Sequence, residues 1–259
     1  MFKKSFILAS ILFANIVFAN QIKEDCNKKG EEFVFAKDEC INYKAFAGDK
    51  NSLAIIIHGT WDEGTDIIAR YSAFAEDISM SNDVTSLAIA LPGYSKSSSN
   101  NLKAIGSKKE KNLAAKKEYA LMLVDLIEAL KQKYNPEKTT IIAHSAGCML
   151  SATASGLKAN LVDNLVCAGG VYDIHKKVED SKDLISAVDV IDNISKDTKI
   201  AIVYGTQDDV STPQMNKDFY ELAKKKGLNV ELIEAKDAPH MELEQTKEAK
   251  EIIEKLLED

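Results

Sequence analysis

The stretch Thr139–Leu150, TTIIAHSAGCML, decides how the rest of the chain is read. Its first half is a β-branched, apolar run of the kind that forms a buried strand. The run stops at His144-Ser145-Ala146-Gly147, and a segment with helical periodicity follows directly over 146–157. A strand, a tight turn and a helix in immediate succession expose a serine at the apex of the turn. They do so only where the residues two positions to either side are small, and here those are Ala143 and Gly147. Ser145 is therefore either a nucleophile held on a sharp turn or an ordinary helix N-cap. Its surroundings have to separate the two.

Working outward, apolar runs and amphipathic segments alternate along the chain. Strand candidates are 52–57, 84–90, 139–144, 164–169, 199–204 and 229–235. Most are continuous apolar runs, which is the signature of strands covered on both faces. Helical patterns occupy 65–80, 112–134, 146–157, 214–226 and 242–257. In the second of these, Tyr119, Met122, Leu123, Leu126, Ile127, Leu130 and Tyr134 repeat at spacings of three and four, and Asn135-Pro136 ends it. Such alternation predicts an α/β fold with a mostly parallel, doubly wound central sheet of about eight strands and helices on both faces. Two alternating segments, 31–36 and 40–46, predict an antiparallel start to that sheet. The charged segment 171–194 is longer than a simple crossover and reads as a small insertion over the carboxyl ends of the strands.

Composition fits one large domain. Of 259 residues, 45% are hydrophobic and 28% charged, and the formal net charge is −7 with both signs interspersed, which argues against a nucleic-acid surface. At the N-terminus, Lys3 and Lys4 precede an apolar run over 5–18 and the small-x-small sequence Val17-Phe18-Ala19. This layout is that of a secretory signal peptide, too short for a comfortable membrane span. The expectation is a leader over 1–19, a single domain over 20–259, a periplasmic or secreted location, and no stable membrane anchor after cleavage. In an oxidising compartment Cys26 and Cys40 are candidates for a disulfide, whereas Cys148 and Cys167 lie in core-like runs as free thiols. No cysteine spacing matches a metal site.

The Ser145 turn resembles the nucleophile elbow of the α/β-hydrolase family, G-x-S-x-G, with Ala143 where glycine is usual. Three further segments carry the resemblance. In LAIIIHGTWDEG (53–64), a strand ends at His58-Gly59 and opens into a loop, as in the family's oxyanion strand. The resemblance implies that the backbone N–H groups of Thr60, or alternatively Trp61, and of Ala146 hold the oxyanion. In IVYGTQDDVSTP (202–213), the family's acid falls on Asp208, with Asp209 the adjacent rival; a pair of surface acids capping the next helix is the alternative. In AKDAPHMELE (235–244), His240 follows the last strand. Of the four histidines only His240 completes the order Ser, Asp, His that the family shows.

The resemblance covers about 31–258 and implies a Ser145-His240-Asp208 triad that cleaves esters through an acyl-enzyme, with no metal or cofactor. A chain of this size with one modest insertion predicts a fairly open pocket, which favours small soluble esters over long-chain lipids. A weaker match at ALPGYSKSS (90–98) suggests Tyr94 as a pocket contact, and Trp61 and Tyr172 are the other aromatics expected there. The rival readings are a lipase or peptidase of the same fold, or an exported binding protein that has lost catalysis.

Overall fold

The computed structural model describes residues 21–62, 64–93 and 111–258. The expected leader over 1–19 and the candidate Tyr94 lie outside the described residues. The strands are β1 (Phe33–Ala36), β2 (Glu39–Phe46), β3 (Lys50–Ile57), β4 (Val84–Ile89), β5 (Lys138–His144), β6 (Asn164–Ala168), β7 (Lys199–Gly205) and β8 (Asn229–Ala235). The longer helices are α1 (Ile67–Asn82), α2 (Lys117–Tyr134), α3 (Ala146–Leu157), α5 (Pro213–Lys225) and α6 (Lys247–Glu258), with the single-turn α4 (Ala187–Val190) inside the insertion. Each element falls on its predicted segment. Short 3-10 turns, Leu113–Ala115 and Leu243–Gln245, replace the first turns expected of α2 and α6.

All eight strands form one sheet in the order β1-β2-β4-β3-β5-β6-β7-β8. The pairs β1–β2 and β2–β4 are antiparallel, and every other pair is parallel. The central strands are buried almost throughout because helices cover both faces: α1 packs with α6 on one, and α2 with α3 and α4 on the other. Sheet growth reverses between β3 and β5, neighbours whose carboxyl ends carry His58 and Ser145. Open α/β sheets bind ligands at such a switch point, since the outgoing chains diverge there and leave a crevice.

Local rules explain the element ends. The Asp66 carboxylate accepts the Ala69 N–H at 3.0 Å and caps α1. Asn135, with φ 47°, turns α2 off in the left-handed conformation ahead of Pro136. Pro213 opens α5 at its first position, where a missing N–H costs nothing. At the sheet's antiparallel edge, Cys26 and Cys40 form a disulfide that ties the helical segment 21–27 to β2. A loop of this size is worth about 3 kcal/mol when closed. Cys148 and Cys167 are free and buried. Among the described residues no helix is long and apolar enough to cross a membrane, and no group of three His, Cys, Asp or Glu residues is placed to hold a metal ion.

Candidate active site

Ser145 sits between β5 and α3 with φ 54° and ψ −122°, a conformation that costs a non-glycine residue on the order of 1–3 kcal/mol. The turn is held from both sides. The Ser145 N–H donates to Ala168 O at the end of β6 (2.9 Å), and the Cys148 N–H donates back to Ser145 O (3.0 Å). Small residues are required by contact. A Cβ on Gly147 would lie 2.4 Å from Ile57 O, and one on Gly59 would lie 2.7 Å from the Ser145 Cβ. Ala143, the departure from the family's glycine, is accommodated within buried β5 opposite Ile57 and Cys167.

The Ser145 side chain does not cap α3. Instead its Oγ lies 2.9 Å from His240 Nε2. On the other side of the ring, His240 Nδ1 is 2.8 Å from Asp208 Oδ2. A carboxylate can only accept, so Nδ1 carries the proton and Nε2 is left to accept from the serine hydroxyl. Asp208 Oδ1 accepts the backbone N–H groups of Val210 (2.9 Å) and Ser211 (2.8 Å). Burial pushes the Asp208 carboxyl up. The hydrogen bond from His240 and those two N–H groups outweigh it and hold the group below the usual carboxylate value. Asp209, the rival acid, is exposed. Serine, histidine and acid thus form one chain of hydrogen bonds, which places Asp208 rather than Asp209 against His240.

Two other histidines brace this arrangement. His144 Nε2 is 2.8 Å from the His240 carbonyl oxygen, so it donates there and pins the loop that carries His240. His58 Nδ1 donates to Gly59 O at 2.7 Å, while Nε2 accepts the Leu91 N–H at 3.2 Å. Those two hydrogen bonds fix the peptide from which the Thr60 loop departs. Burial lowers the His58 pKa to about 4 from 6.5. In the unfolded chain His58 takes up a proton near pH 6.5, and in the folded chain only near pH 4. Between these values the unfolded state binds more protons, so stability falls on acidification through this window, by about 3 kcal/mol in all. Urea denaturation from pH 7 to pH 4 is expected to show this loss, with a shallower pH dependence for His58→Asn; parallel curves would exclude His58 as its source.

Thr60, Ser145, Ala146 and His240 line one cavity of about 530 Å³. Among the described residues its other walls are Lys111, Asn112, Ala114, Met149, Val171, Ile174, Lys177 and Val210. Among the described residues no protein acceptor takes the N–H of Thr60 or of Ala146. Val171, Ile174 and Lys177 come from the expected insertion over the strand ends.

Two predicted pocket residues are elsewhere. Tyr172 is buried with its ring stacked on Phe219 of α5, centroids 4.0 Å apart and planes at 5°. Gly170 permits this, because a Cβ there would lie 2.4 Å from the Tyr172 Cζ. Trp61 is half-buried beneath the Arg70 guanidinium, 3.9 Å from the ring centroid, and is absent from the cavity wall. A cation-π contact and packing against the core occupy the indole that was expected to face substrate.

Sequence reasoning missed Gly169. It follows β6 with φ 62°, and a Cβ there would lie 3.1 Å from Asp208 Oδ2 and 3.2 Å from His240 Nδ1. A Gly-Gly pair directly after a buried strand was the available signal. Cys148, three residues beyond the turn, has its Sγ within reach of Ala143 O (3.2 Å) and Ala168 O (3.3 Å). Burial pushes its thiol well up, which keeps it a packing group and not a nucleophile.

The model of the α/β-hydrolase fold family matches residues 55–198, more than half of the chain. The chain belongs to that family. Among solved structures it is similar to an esterase of Pyrococcus furiosus (16% identity, 87% of this chain and 90% of that one, TM-score 0.66). It is also similar to a monoacylglycerol lipase of Paleococcus ferrophilus (16% identity, 84% and 98%, TM-score 0.59). A third is Est1E of Butyrivibrio proteoclasticus, solved with ferulic acid bound (14% identity, 88% and 97%, TM-score 0.62). At these identities the likeness is one of fold. No curated protein is recognisably similar in sequence.

Proposed function

We propose that this protein is an exported serine hydrolase that cleaves ester-like bonds of small soluble substrates. The observation that carries the reading is the continuous bond chain from Ser145 Oγ through His240 to Asp208, built on a strained turn that does not use its serine as a cap. The Ser145 oxygen attacks the ester carbonyl as its proton passes to His240 Nε2, and the carbonyl electron pair moves onto oxygen. The free N–H groups of Thr60 and Ala146 hold that oxyanion. Its collapse breaks the carbonyl–alkoxy bond, and His240 gives its proton to the departing alcohol. Water then repeats the sequence on the acyl-enzyme, releasing the acid and restoring Ser145. Asp208 keeps the imidazole in the required tautomer and stabilises its cation.

Esterase and lipase neighbours of similar fold support ester chemistry. For export, the support is the leader-like stretch over 1–19 together with a disulfide just beyond it, since such bonds persist in oxidising compartments. Labelling with a fluorophosphonate and mapping the adduct by mass spectrometry tests the enzyme reading. The expected adduct is on Ser145 and is lost on heat denaturation before labelling. A folded protein that takes no label would instead be an inactive binding member of the fold.

A further inference from the structure

The cavity beside Ser145 has an unusual charge balance for a chain of net charge −7. Among the described residues, Lys111 and Lys177 are its only Lys, Arg, Asp or Glu wall residues. Among the described residues neither lysine forms an ion pair with a carboxylate within bonding distance. The ammonium of Lys177 donates to Val210 O at 2.7 Å, which uses one of its three protons and places it beside the acid loop. Burial pulls the Lys177 ammonium below the usual lysine value and the charge of Asp208 opposes this, but the two Asp208 oxygens already accept from His240, Val210 and Ser211.

The two lysines also stand on linked supports. Lys111 precedes Asn112, whose left-handed φ of 55° starts the turn Leu113–Ala115. The Ile185 N–H of the insertion donates to Ala115 O at 2.8 Å, tying that turn to the segment that carries Lys177. The rest of the wall includes Ala114, Met149, Val171, Ile174 and Val210, which suit a short hydrocarbon segment.

From this arrangement we propose that the substrates are esters carrying an anionic group, a carboxylate or a phosphate, which Lys111 and Lys177 hold while Ser145 attacks the ester carbonyl. The inference rests on the serine-hydrolase reading and narrows it. A neutral ester would fill the apolar wall and leave both ammonium groups to water. An anionic one would gain charge-assisted hydrogen bonds that a hydrocarbon cannot make. Such a bond is worth on the order of tenfold or more in kcat/KM.

The test compares matched esters on the full chain, each rate divided by its rate of alkaline hydrolysis. On the acyl side the mono-4-nitrophenyl ester of adipic acid is set against 4-nitrophenyl hexanoate. On the alcohol side 4-acetoxybenzoate is set against its methyl ester. At least one anionic member is expected to exceed its neutral partner in kcat/KM by about tenfold, and the arm that responds tells which portion carries the charge. That ratio should fall with added salt, collapse in Lys177→Met and Lys111→Met, and survive in Lys177→Arg. Equal rates within both pairs, or a preference that persists in the double Met variant, would overturn the inference while leaving a Ser145 esterase intact. No turnover of any ester, with no fluorophosphonate adduct on Ser145, would remove the hydrolase reading and this inference with it.

Discussion

Ser145→Ala is expected to lower kcat by roughly 10⁶-fold while the protein keeps its fold, because a triad acts as a unit and its nucleophile has no substitute. The same substitution separates the two readings of the Thr139–Leu150 stretch. A serine that caps α3 would lose about 1 kcal/mol of stability on truncation and cost no activity. Here the side chain makes no cap bond, and its oxygen faces His240 at 2.9 Å. Stability should therefore change little, since alanine inherits the same strained φ of 54°. Ser145→Gly removes that strain and should be more stable than wild type by about 1 kcal/mol, yet equally inactive. Turnover and thermal unfolding measured on all three proteins decide the matter. A destabilised but active Ser145→Ala protein would make Ser145 a cap.

Much of this could be read from the chain because the central strands are covered on both faces. A buried parallel strand such as Ile55–Ile57 or Ile141–Ala143 must be continuously apolar, so its sequence shows where it lies. The site positions follow from the same logic, since each falls where an apolar run stops: His58 after β3, Ser145 after β5, Asp208 beyond β7 and His240 beyond β8. What the sequence could not carry is direction. Nothing in the string says whether Trp61 points into the cavity or lies under Arg70, or that Tyr172 folds back over Gly170 onto Phe219. Those choices are made by side-chain packing between segments far apart in the chain. The cationic wall was hidden for the same reason, because Lys111 and Lys177 line one cavity only once the insertion is bonded to the turn before α2.

The acid loop shows how a single register ambiguity becomes a decisive experiment. Asp208 and Asp209 are adjacent, and one is buried against His240 while the other is exposed. Asp208→Asn is expected to reduce kcat by about 10⁴-fold, and the geometry gives the reason. Oδ1 is surrounded by two donors, the N–H groups of Val210 and Ser211 at 2.9 and 2.8 Å. An asparagine must turn its oxygen toward them, which leaves its NH₂ facing His240 Nδ1. The imidazole then has to accept at Nδ1 and carry its proton on Nε2, so it can no longer take the proton of Ser145. Turning the amide the other way restores the tautomer but sets two backbone donors against an NH₂, and the loop resists that. Asp209→Asn touches none of these bonds and should leave kcat near wild type. If Asp209→Asn proved the more damaging of the two, the acid would lie one residue further along and the loop would have to re-form around it.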